Sequence, residues 1–204
     1  MKPIYGFFHA AIMNGERFDS VFKEIIETII GSKLLESTEL LYIGFVGDDI
    51  AKFSKIKSEL NHYKNILCVH KSTDLTQYEY PTLQELYDRC HAPEDCYVYY
   101  CHTKGVSYKS NQKSDIWRKW MLDYTIKDWK RCIKGLEKYN ACGFTRHRSA
   151  FFSGNYWWAK SIYIKTLPYI QSSIDRLEAE RWIGKSSNKN FLYLNKTNEF
   201  KETV

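Results

Sequence analysis

The amino-acid sequence predicts an α/β domain with a mostly parallel central sheet that carries helices on both faces. Runs typical of strands and runs typical of helices alternate three times in the N-terminal half, and the strand-like runs are apolar throughout instead of at every second position. Strands that are apolar on both sides are typical of parallel sheets covered by helices. With 204 residues, the chain is long enough for one such domain and short for two.

The N-terminal half supplies the elements that define this fold. The predicted strands are the apolar runs at residues 4–8, 40–46, 65–70 and 96–101. Apolar residues recur at helical spacing from Phe18 to Ile30 and from Ile50 to Leu60, so these segments are predicted helices. A third helix is expected to begin at Pro81, because proline is tolerated in the first turn of a helix.

The second half is less regular. A helix is predicted after a cap at Ser114, since Trp117, Met121 and Tyr124 then share one face. Further elements are expected as a strand at 141–145, a short helix through Leu167-Pro168 and a helix around 171–183.

Composition limits the classes of partner. The net charge of +6 favours anionic partners such as phosphates, nucleic acid or a membrane surface. Aromatic residues make up 16% of the chain, and their flat rings suit stacking on bases or sugars. The N-terminus does not resemble a signal peptide, and no apolar run approaches the ~20 residues that cross a bilayer. A cytoplasmic protein without a membrane span is therefore expected.

The six cysteines have two interpretations. Without a secretory signal, reduced thiols are expected. The alternative is a zinc site formed by Cys90, His91, Cys96, Cys101 and His102, although this spacing matches none of the usual paired-cysteine patterns.

Ligands of open α/β sheets bind outside the carboxyl ends of the strands, where loops converge. Residues that follow the predicted strands are therefore candidates, and they are His9 to Asn14, Asp48 and Asp49, His70 to Asp74, and His102 to Gly105. Lys104 suits a phosphate as a point charge, and its alternative is an ordinary solvated loop lysine. Neither a dinucleotide fingerprint, a phosphate-binding P-loop nor a hydrolase nucleophile elbow is present.

Several separated motifs resemble those of one enzyme family. They are YYCHTKGVS (99–107), DIWRKWM (115–121), FFSGNYWWA (151–159), LP (167–168) and AERWIG (179–184). In this order they resemble a group of small glycosyltransferases of bacteria, phages and large DNA viruses. The resemblance implies a single GT-A-like domain that moves a sugar from a nucleotide-diphosphate donor, expected to be a UDP-sugar. The implied acceptor is a glycan or glycoprotein in the synthesis of surface polysaccharide or viral glycans.

The resemblance also implies a division of the chain. Residues 1–105 would bind the nucleotide, residues 106–194 would bind the donor sugar and the acceptor, and residues 195–204 would form a tail. The implied nucleotide- and diphosphate-binding residues are His9, Asp48, Asp49, His102, Thr103, Lys104, Gly105 and Arg118.

The metal is where this sequence departs from the family. GT-A enzymes usually carry Asp-x-Asp at the end of the fourth strand to bind Mn²⁺ or Mg²⁺, and here that position reads His102-Thr103-Lys104. A departing diphosphate needs positive charge, which a metal ion or fixed side chains can supply. Asp49 and His102 are the candidate metal ligands, with Asp48 as a further option. The metal-free alternative uses Lys104 with Arg118, or with Arg146 and Arg148.

The sugar site is expected in the FFSGNYWWA motif. Ser153, Gly154 and Asn155 would approach and hydrogen-bond the donor sugar, and Trp157 and Trp158 would wall the pocket. The alternative is that at least one of the two tryptophans lies in the core.

Glu180 in the AERWIG motif matches the Glu-x-Trp position of that family, and the resemblance implies that it is the general base. An inverting transfer requires such a carboxylate to take the proton of the acceptor hydroxyl. Glu178 is a candidate sugar- or acceptor-binding residue, or else part of a solvated helix surface.

A different class of function also accounts for the charge and the aromatic residues. A non-enzymatic nucleic-acid-binding module would use Arg131, Arg146 and Arg148 as phosphate contacts and tyrosines as stacking platforms. The basic residues are scattered along the chain, so no nucleic-acid partner is expected.

Overall fold

A computed structural model of the chain describes residues 2–13, 16–107, 112–147, 151–173 and 175–195. Predictions that involve Asn14, Arg148 and the tail residues 196–204 lie outside the described residues.

The described residues form one seven-stranded sheet. Its strands are β1 (Ile4–Ala11), β2 (Leu40–Val46), β3 (Ile66–Ser72), β4 (Tyr97–His102), β5 (Ala141–Gly143), β6 (Trp157–Lys160) and β7 (Phe191–Tyr193). The strand order is β3-β2-β1-β4-β6-β5-β7. Strands β1 to β4 pair in parallel, β6 pairs antiparallel to both β4 and β5, and β7 is parallel to β5. The predicted mostly parallel sheet is confirmed, and it continues through both predicted halves of the chain.

Helices cover both faces of this sheet, as predicted. They are α1 (Glu16–Gly31), α2 (Ile50–Leu60), α3 (Tyr80–Cys90), α4 (Gln112–Leu122), α5 (Trp129–Lys138), α6 (Ser161–Ile164) and α7 (Arg176–Arg181). Buried residues of α1, α2, α4 and α5 form one core cluster, and those of α3, α6 and α7 form a second.

Neighbouring strand residues separate into the two cores because successive side chains of a strand point to opposite faces. Phe8 of β1 lies in the first core and Phe7 in the second. Burial of such large apolar side chains on both faces stabilises a parallel sheet by about 1.5–3 kcal/mol for each side chain.

Several boundaries in the second half differ from the prediction. The helix expected after a cap at Ser114 begins at Gln112, and a π-helical segment at Asp123–Lys127 joins it to α5. Helix α6 ends at Ile164, before Leu167-Pro168, and α7 spans only part of the helix expected around 171–183. Strand β7 was not predicted, because its three residues form too short a pattern.

No helix in the described ranges is long and apolar enough to cross a membrane.

Candidate functional site

The carboxyl ends of β1 and β4 meet at the centre of the sheet. His9 of β1 is the parallel partner of His102 of β4. Thr103 continues the pairing beyond β4, since its amide donates to the His9 carbonyl at 3.0 Å and its hydroxyl accepts from the Ala11 amide at 3.1 Å. The first residues after these strands are therefore held as rigidly as the sheet itself.

A cavity of about 320 Å³ opens at this edge of the sheet. Its ionisable lining residues are His9, Glu79, His102, Lys104, Arg176 and Glu180. Its apolar wall includes Met13, Val46, Leu75 and Tyr78. A concave site with a few convergent polar groups beside an apolar wall is the usual form of a small-ligand site. Its position outside the carboxyl ends of parallel strands is the one predicted from the sequence.

Two arginines fix the backbone of the His102–Gly105 corner. Arg118 donates to the Lys104 carbonyl at 2.9 Å, and Arg17 donates to the Gly105 carbonyl at 2.9 Å. Both guanidinium groups also bind Asp115. Gly105 has a φ of 90°, a backbone conformation that residues other than glycine rarely adopt.

The buried Arg118 side chain is held by contacts within the protein. It is 4% exposed, and its Nε and Nη2 atoms lie 2.8 and 2.7 Å from Glu24 Oε2. The predicted diphosphate-binding role for Arg118 therefore does not match its position, because its donors are already satisfied by Glu24, Asp115 and the Lys104 carbonyl.

Glu79 is the buried centre of a hydrogen-bond network under the cavity. Its Oε2 accepts from the Tyr100 hydroxyl at 2.7 Å and from the Asn155 amide at 2.6 Å. Its Oε1 lies 3.2 Å from His102 Nδ1. A carboxyl group that is 6% exposed costs several kcal/mol to bury unless such partners compensate it.

The contact between Glu79 and His102 requires a proton. His102 Nε2 lies 3.0 Å from the Gly154 carbonyl, which only accepts, so Nε2 carries the proton of a neutral imidazole. Burial, followed by the charge of Lys104, lowers the pKa of His102 to about 3. Its Nδ1 then faces Oε1 of Glu79 as a second acceptor, and two acceptors at this distance need one proton between them.

His9 lies beside His102 and, like it, is uncharged at neutral pH. Its Nδ1 is 3.0 Å from the Thr82 hydroxyl, and the side chain is 2% exposed. Burial lowers the pKa of His9 to about 4, against an opposing effect of Glu79 and with a further lowering by His102.

Lys104 and Glu180 face each other in the cavity. The Lys104 Nζ atom lies 3.6 Å from Glu180 Oε1, and the Glu180 side chain is 12% exposed. Arg176, the first residue of α7, lines the same cavity. The structure thus brings together the corner at 102–105 and the AERWIG segment, which lie far apart in the sequence.

The Ser153-Gly154-Asn155 turn lies beneath the cavity and does not line it. Gly154 has a φ of 81°, and a Cβ added there would lie 2.4 Å from Met121 Sδ. Asn155 is 1% exposed, donates to Glu79 and accepts from Trp157 Nε1 at 2.7 Å. Ser153 is 5% exposed. The turn positions Glu79 and His102, a different role from the predicted contact with a donor sugar.

Trp157 and Trp158 both lie in the core. Each is fully buried, on opposite faces of β6, with Trp157 stacked on Tyr100 and Trp158 donating to the Thr125 carbonyl at 2.7 Å. The predicted pocket wall is therefore formed by other residues, and the aromatic run packs the two cores.

Asp48, Asp49 and Glu178 lie outside this cavity. Asp48 and Asp49 are exposed, and Asp49 caps α2 by accepting from the Lys52 amide at 2.9 Å. Glu178 pairs with Arg181 and Lys185, and these cations lower its pKa. The metal ligands expected at Asp49 and His102 therefore line different depressions of the surface.

Within the described ranges, no group of three or more His, Cys, Asp and Glu side chains is placed to hold a metal ion. At the position of the usual Asp-x-Asp motif, the His102 nitrogens face Gly154 and Glu79, and Lys104 adds a cation. The residues present do not fit a protein-held Mn²⁺ or Mg²⁺ site. All six cysteines are free thiols.

The chain matches the family described as a domain of unknown function (DUF8361) over residues 5–201. It belongs to this family.

No curated protein matches the sequence of this DUF8361 domain. Among solved structures, it is similar to 4-diphosphocytidyl-2C-methyl-D-erythritol synthase from Anaerococcus prevotii DSM 20548, at 12% identity and a TM-score of 0.49, over 97% of this chain and 92% of that chain. A second structure of a 4-diphosphocytidyl-2C-methyl-D-erythritol synthase has 12% identity and a TM-score of 0.48, over 100% of this chain and 94% of that chain.

Sequence reasoning missed two charged residues in the site of this DUF8361 domain. Glu79 precedes α3, outside the segment His70–Asp74 that was expected to follow the third strand. The available signal was an acidic residue two positions before Pro81, at the start of a predicted helix. Arg176 follows Asp175, which caps α7 by accepting from the Leu177 amide at 2.9 Å. Nothing in the local pattern of either segment indicates that both line the same cavity as His102.

Proposed function

We propose that this protein is a glycosyltransferase that moves a sugar from a nucleotide-diphosphate donor, expected to be a UDP-sugar, to a glycan or glycoprotein acceptor. One observation carries the proposal: a carboxylate, Glu180, and two cations, Lys104 and Arg176, share a cavity at the carboxyl ends of β1 and β4. The ordered motifs that resemble small GT-A glycosyltransferases support it, because Lys104 and Glu180 belong to two of them.

Glu180 has the role of general base in this proposal. The acceptor hydroxyl oxygen attacks the anomeric carbon, and Glu180 accepts its proton. The bond from the anomeric carbon to the diphosphate oxygen breaks with its electron pair, so negative charge grows on the diphosphate. Lys104 lies 3.6 Å from the base, and in this proposal its positive charge stabilises the departing diphosphate. These steps describe an inverting transfer.

The apolar wall of the cavity suits the nucleoside. Leu75 and Tyr78 line it beside Met13 and Val46. Tyr78 has a φ of 45°, an uncommon conformation for a bulky residue, and such residues cluster at ligand sites. We propose that the Tyr78 ring stacks on the base, since aromatic rings bind flat ligands with little loss of conformational entropy.

Calorimetric titration of the protein with UDP-sugars and GDP-sugars, with and without Mn²⁺, tests this function. Binding of at least one donor is expected, followed by release of the nucleoside diphosphate when an acceptor glycan is added. If no donor binds under either condition, the proposal is wrong. Binding of single-stranded nucleic acid that weakens steeply with salt would then favour the nucleic-acid-binding alternative. The cytoplasmic location stays a prediction, tested by fractionation of cells that express the protein.

A further inference from the structure

The cavity holds two cations where the resemblance implies an acidic metal-binding motif. Lys104 occupies the last position of the His102-Thr103-Lys104 segment, and Arg176 reaches the same cavity from α7. In the described part of the chain, Arg176 forms no ion pair, and Lys104 pairs with Glu180 at the long distance of 3.6 Å. Both cations are thus placed to bind an anion that enters the cavity.

The other polar groups of the cavity leave these two cations accessible to such an anion. Burial keeps His9 and His102 uncharged at neutral pH. The Glu79 carboxyl group is 6% exposed and accepts hydrogen bonds from Tyr100 and Asn155, whereas Lys104 and Arg176 line the cavity. A diphosphate oxygen that gains charge in the transition state is stabilised most by cations already fixed in place.

The backbone under each cation is fixed by contacts that no ligand needs to supply. Arg118 and Arg17 hold the carbonyls of Lys104 and Gly105. The start of α7 is held by the Tyr80 hydroxyl, which donates to the Asp175 carbonyl at 2.8 Å, and by the burial of Ala179 and Trp182. Because the backbone at both positions is already fixed, only the two side chains lose conformational entropy when a ligand binds.

We propose that Lys104 and Arg176 together bind the donor diphosphate and stabilise it as a leaving group, in place of a divalent cation. This inference rests on the proposed function. As the bond to the anomeric carbon breaks, its electron pair passes to the diphosphate oxygen, and the added charge is neutralised by Nζ of Lys104 and the guanidinium of Arg176. Lysine acts there as a compact point charge, and arginine binds two phosphate oxygens at once.

Calorimetric titration of UDP and of uridine in excess EDTA, and again in Mn²⁺, tests the inference. UDP is expected to bind the wild-type protein with affinities that agree within about threefold in the two buffers. Lys104→Gln and Arg176→Gln are each expected to weaken UDP binding about 10–100-fold in EDTA, the range expected for one hydrogen-bonded charge pair. The affinity of both variants for uridine, which has no phosphate, should fall by less than about twofold. A larger fall would reveal a general loss of the pocket.

Arg181→Gln is the matched control for Arg176, because Arg181 lies on the same helix, is partly exposed and pairs with Asp175 and Glu178 outside the cavity. It should leave UDP affinity unchanged. Lys104→Arg, which keeps the charge, should retain most of the affinity even if Lys104→Gln is poorly folded.

The outcomes separate the inference from the function on which it rests. If UDP binds only when Mn²⁺ is present, or if neither glutamine variant weakens binding in EDTA, the inference is wrong and the glycosyltransferase proposal stands. If UDP and the nucleotide sugars fail to bind in either buffer, the proposed function itself is wrong.

Discussion

Arg118 Nη1 donates to the carbonyl oxygen of Lys104 at a distance of 2.9 Å. The side chain of Lys104 reaches a cavity at the sheet edge, whereas Arg118 is buried in α4 and reaches Glu24 of α1. One buried guanidinium therefore links two helices to the backbone that carries the proposed phosphate-binding lysine.

Replacing this arginine is expected to cost stability. Arg118→Met removes the partner of the partly exposed Glu24 and one of the two arginines that bind Asp115, and it leaves the Lys104 carbonyl without its Arg118 donor. The free energy of unfolding should fall by about 2–4 kcal/mol in urea denaturation at pH 7. Arg131→Met is the control, since Arg131 is half-exposed, its contact with Asp128 is 3.8 Å long, and its one bond to a backbone carbonyl, that of Leu194, is 3.2 Å long. Equal losses in both variants would contradict the bracing role.

If Glu180 is the general base, its replacement should lower turnover without lowering donor affinity. Glu180→Gln is expected to lower kcat by about 10²–10⁴ while donor affinity changes little, because glutamine keeps the shape of glutamate but cannot take a proton. Turnover kinetics and donor titration of the same sample measure both quantities. Glu59→Gln, on the exposed surface of α2, should leave both unchanged. Equal losses of donor affinity and turnover would instead place Glu180 in the donor site.

Gly154 is predicted to be irreplaceable for steric and conformational reasons. An alanine there would adopt a φ of 81° and place its Cβ 2.4 Å from Met121 Sδ and 2.7 Å from Trp117 Nε1. Gly154→Ala should lower the free energy of unfolding by at least about 2 kcal/mol. Gly31→Ala is the matched control at the end of α1, where an added Cβ meets nothing within 4 Å. That change should be neutral or stabilising, by up to about 1 kcal/mol, in the same denaturation experiment.

The fold could be predicted because its signals are local. Strand β2 and helix α2 have the predicted bounds, since each depends on apolar spacing within its own segment. The packing of the antiparallel strand β6 could not be predicted from local signals. Its aromatic residues indicate burial, but nothing local shows that Trp157 and Trp158 enter separate cores.

The site was predictable only where it follows the fold. Because the carboxyl ends of parallel strands meet, the residues from His102 to Gly105 were expected at a ligand site, and they line the cavity. The contacts of Arg118 with Glu24 and of Asn155 with Glu79 join residues 94 and 76 positions apart. Such pairs depend on how the elements pack, so no spacing rule in one sequence identifies them.

His9 predicts how stability depends on pH. Burial lowers its pKa in the folded protein to about 4, whereas in the unfolded chain it is close to 6.5. Above pH 6.5 neither state binds the proton. Between pH 6.5 and 4 the unfolded state alone binds it, so stability falls as the pH falls. His9 should account for a loss of about 2 kcal/mol between pH 7 and pH 5, because one pKa unit corresponds to about 1.4 kcal/mol.

Urea denaturation at pH 7 and pH 5 measures this dependence. His9→Gln should show a weaker loss between the two pH values than the wild-type protein does, whatever its absolute stability. His62→Gln changes an exposed histidine and should keep the wild-type pH dependence. If His9→Gln also keeps the wild-type pH dependence, the burial of an uncharged His9 is not the source of that dependence.

The proton between Glu79 and His102 can be tested with an amide. In Glu79→Gln, the side-chain NH₂ can donate to His102 Nδ1, while the amide oxygen still accepts from the Tyr100 hydroxyl and the Asn155 amide. Because glutamine reproduces a carboxyl group that carries the shared proton, we expect its free energy of unfolding at pH 7 to lie within about 1 kcal/mol of wild type. Glu79→Ala leaves all three partners unsatisfied and should cost about 3 kcal/mol or more. If Glu79 instead accepted at both oxygens, His102 Nδ1 would carry a proton. The side-chain NH₂ of Glu79→Gln would then face that N–H, and this variant would be as unstable as Glu79→Ala.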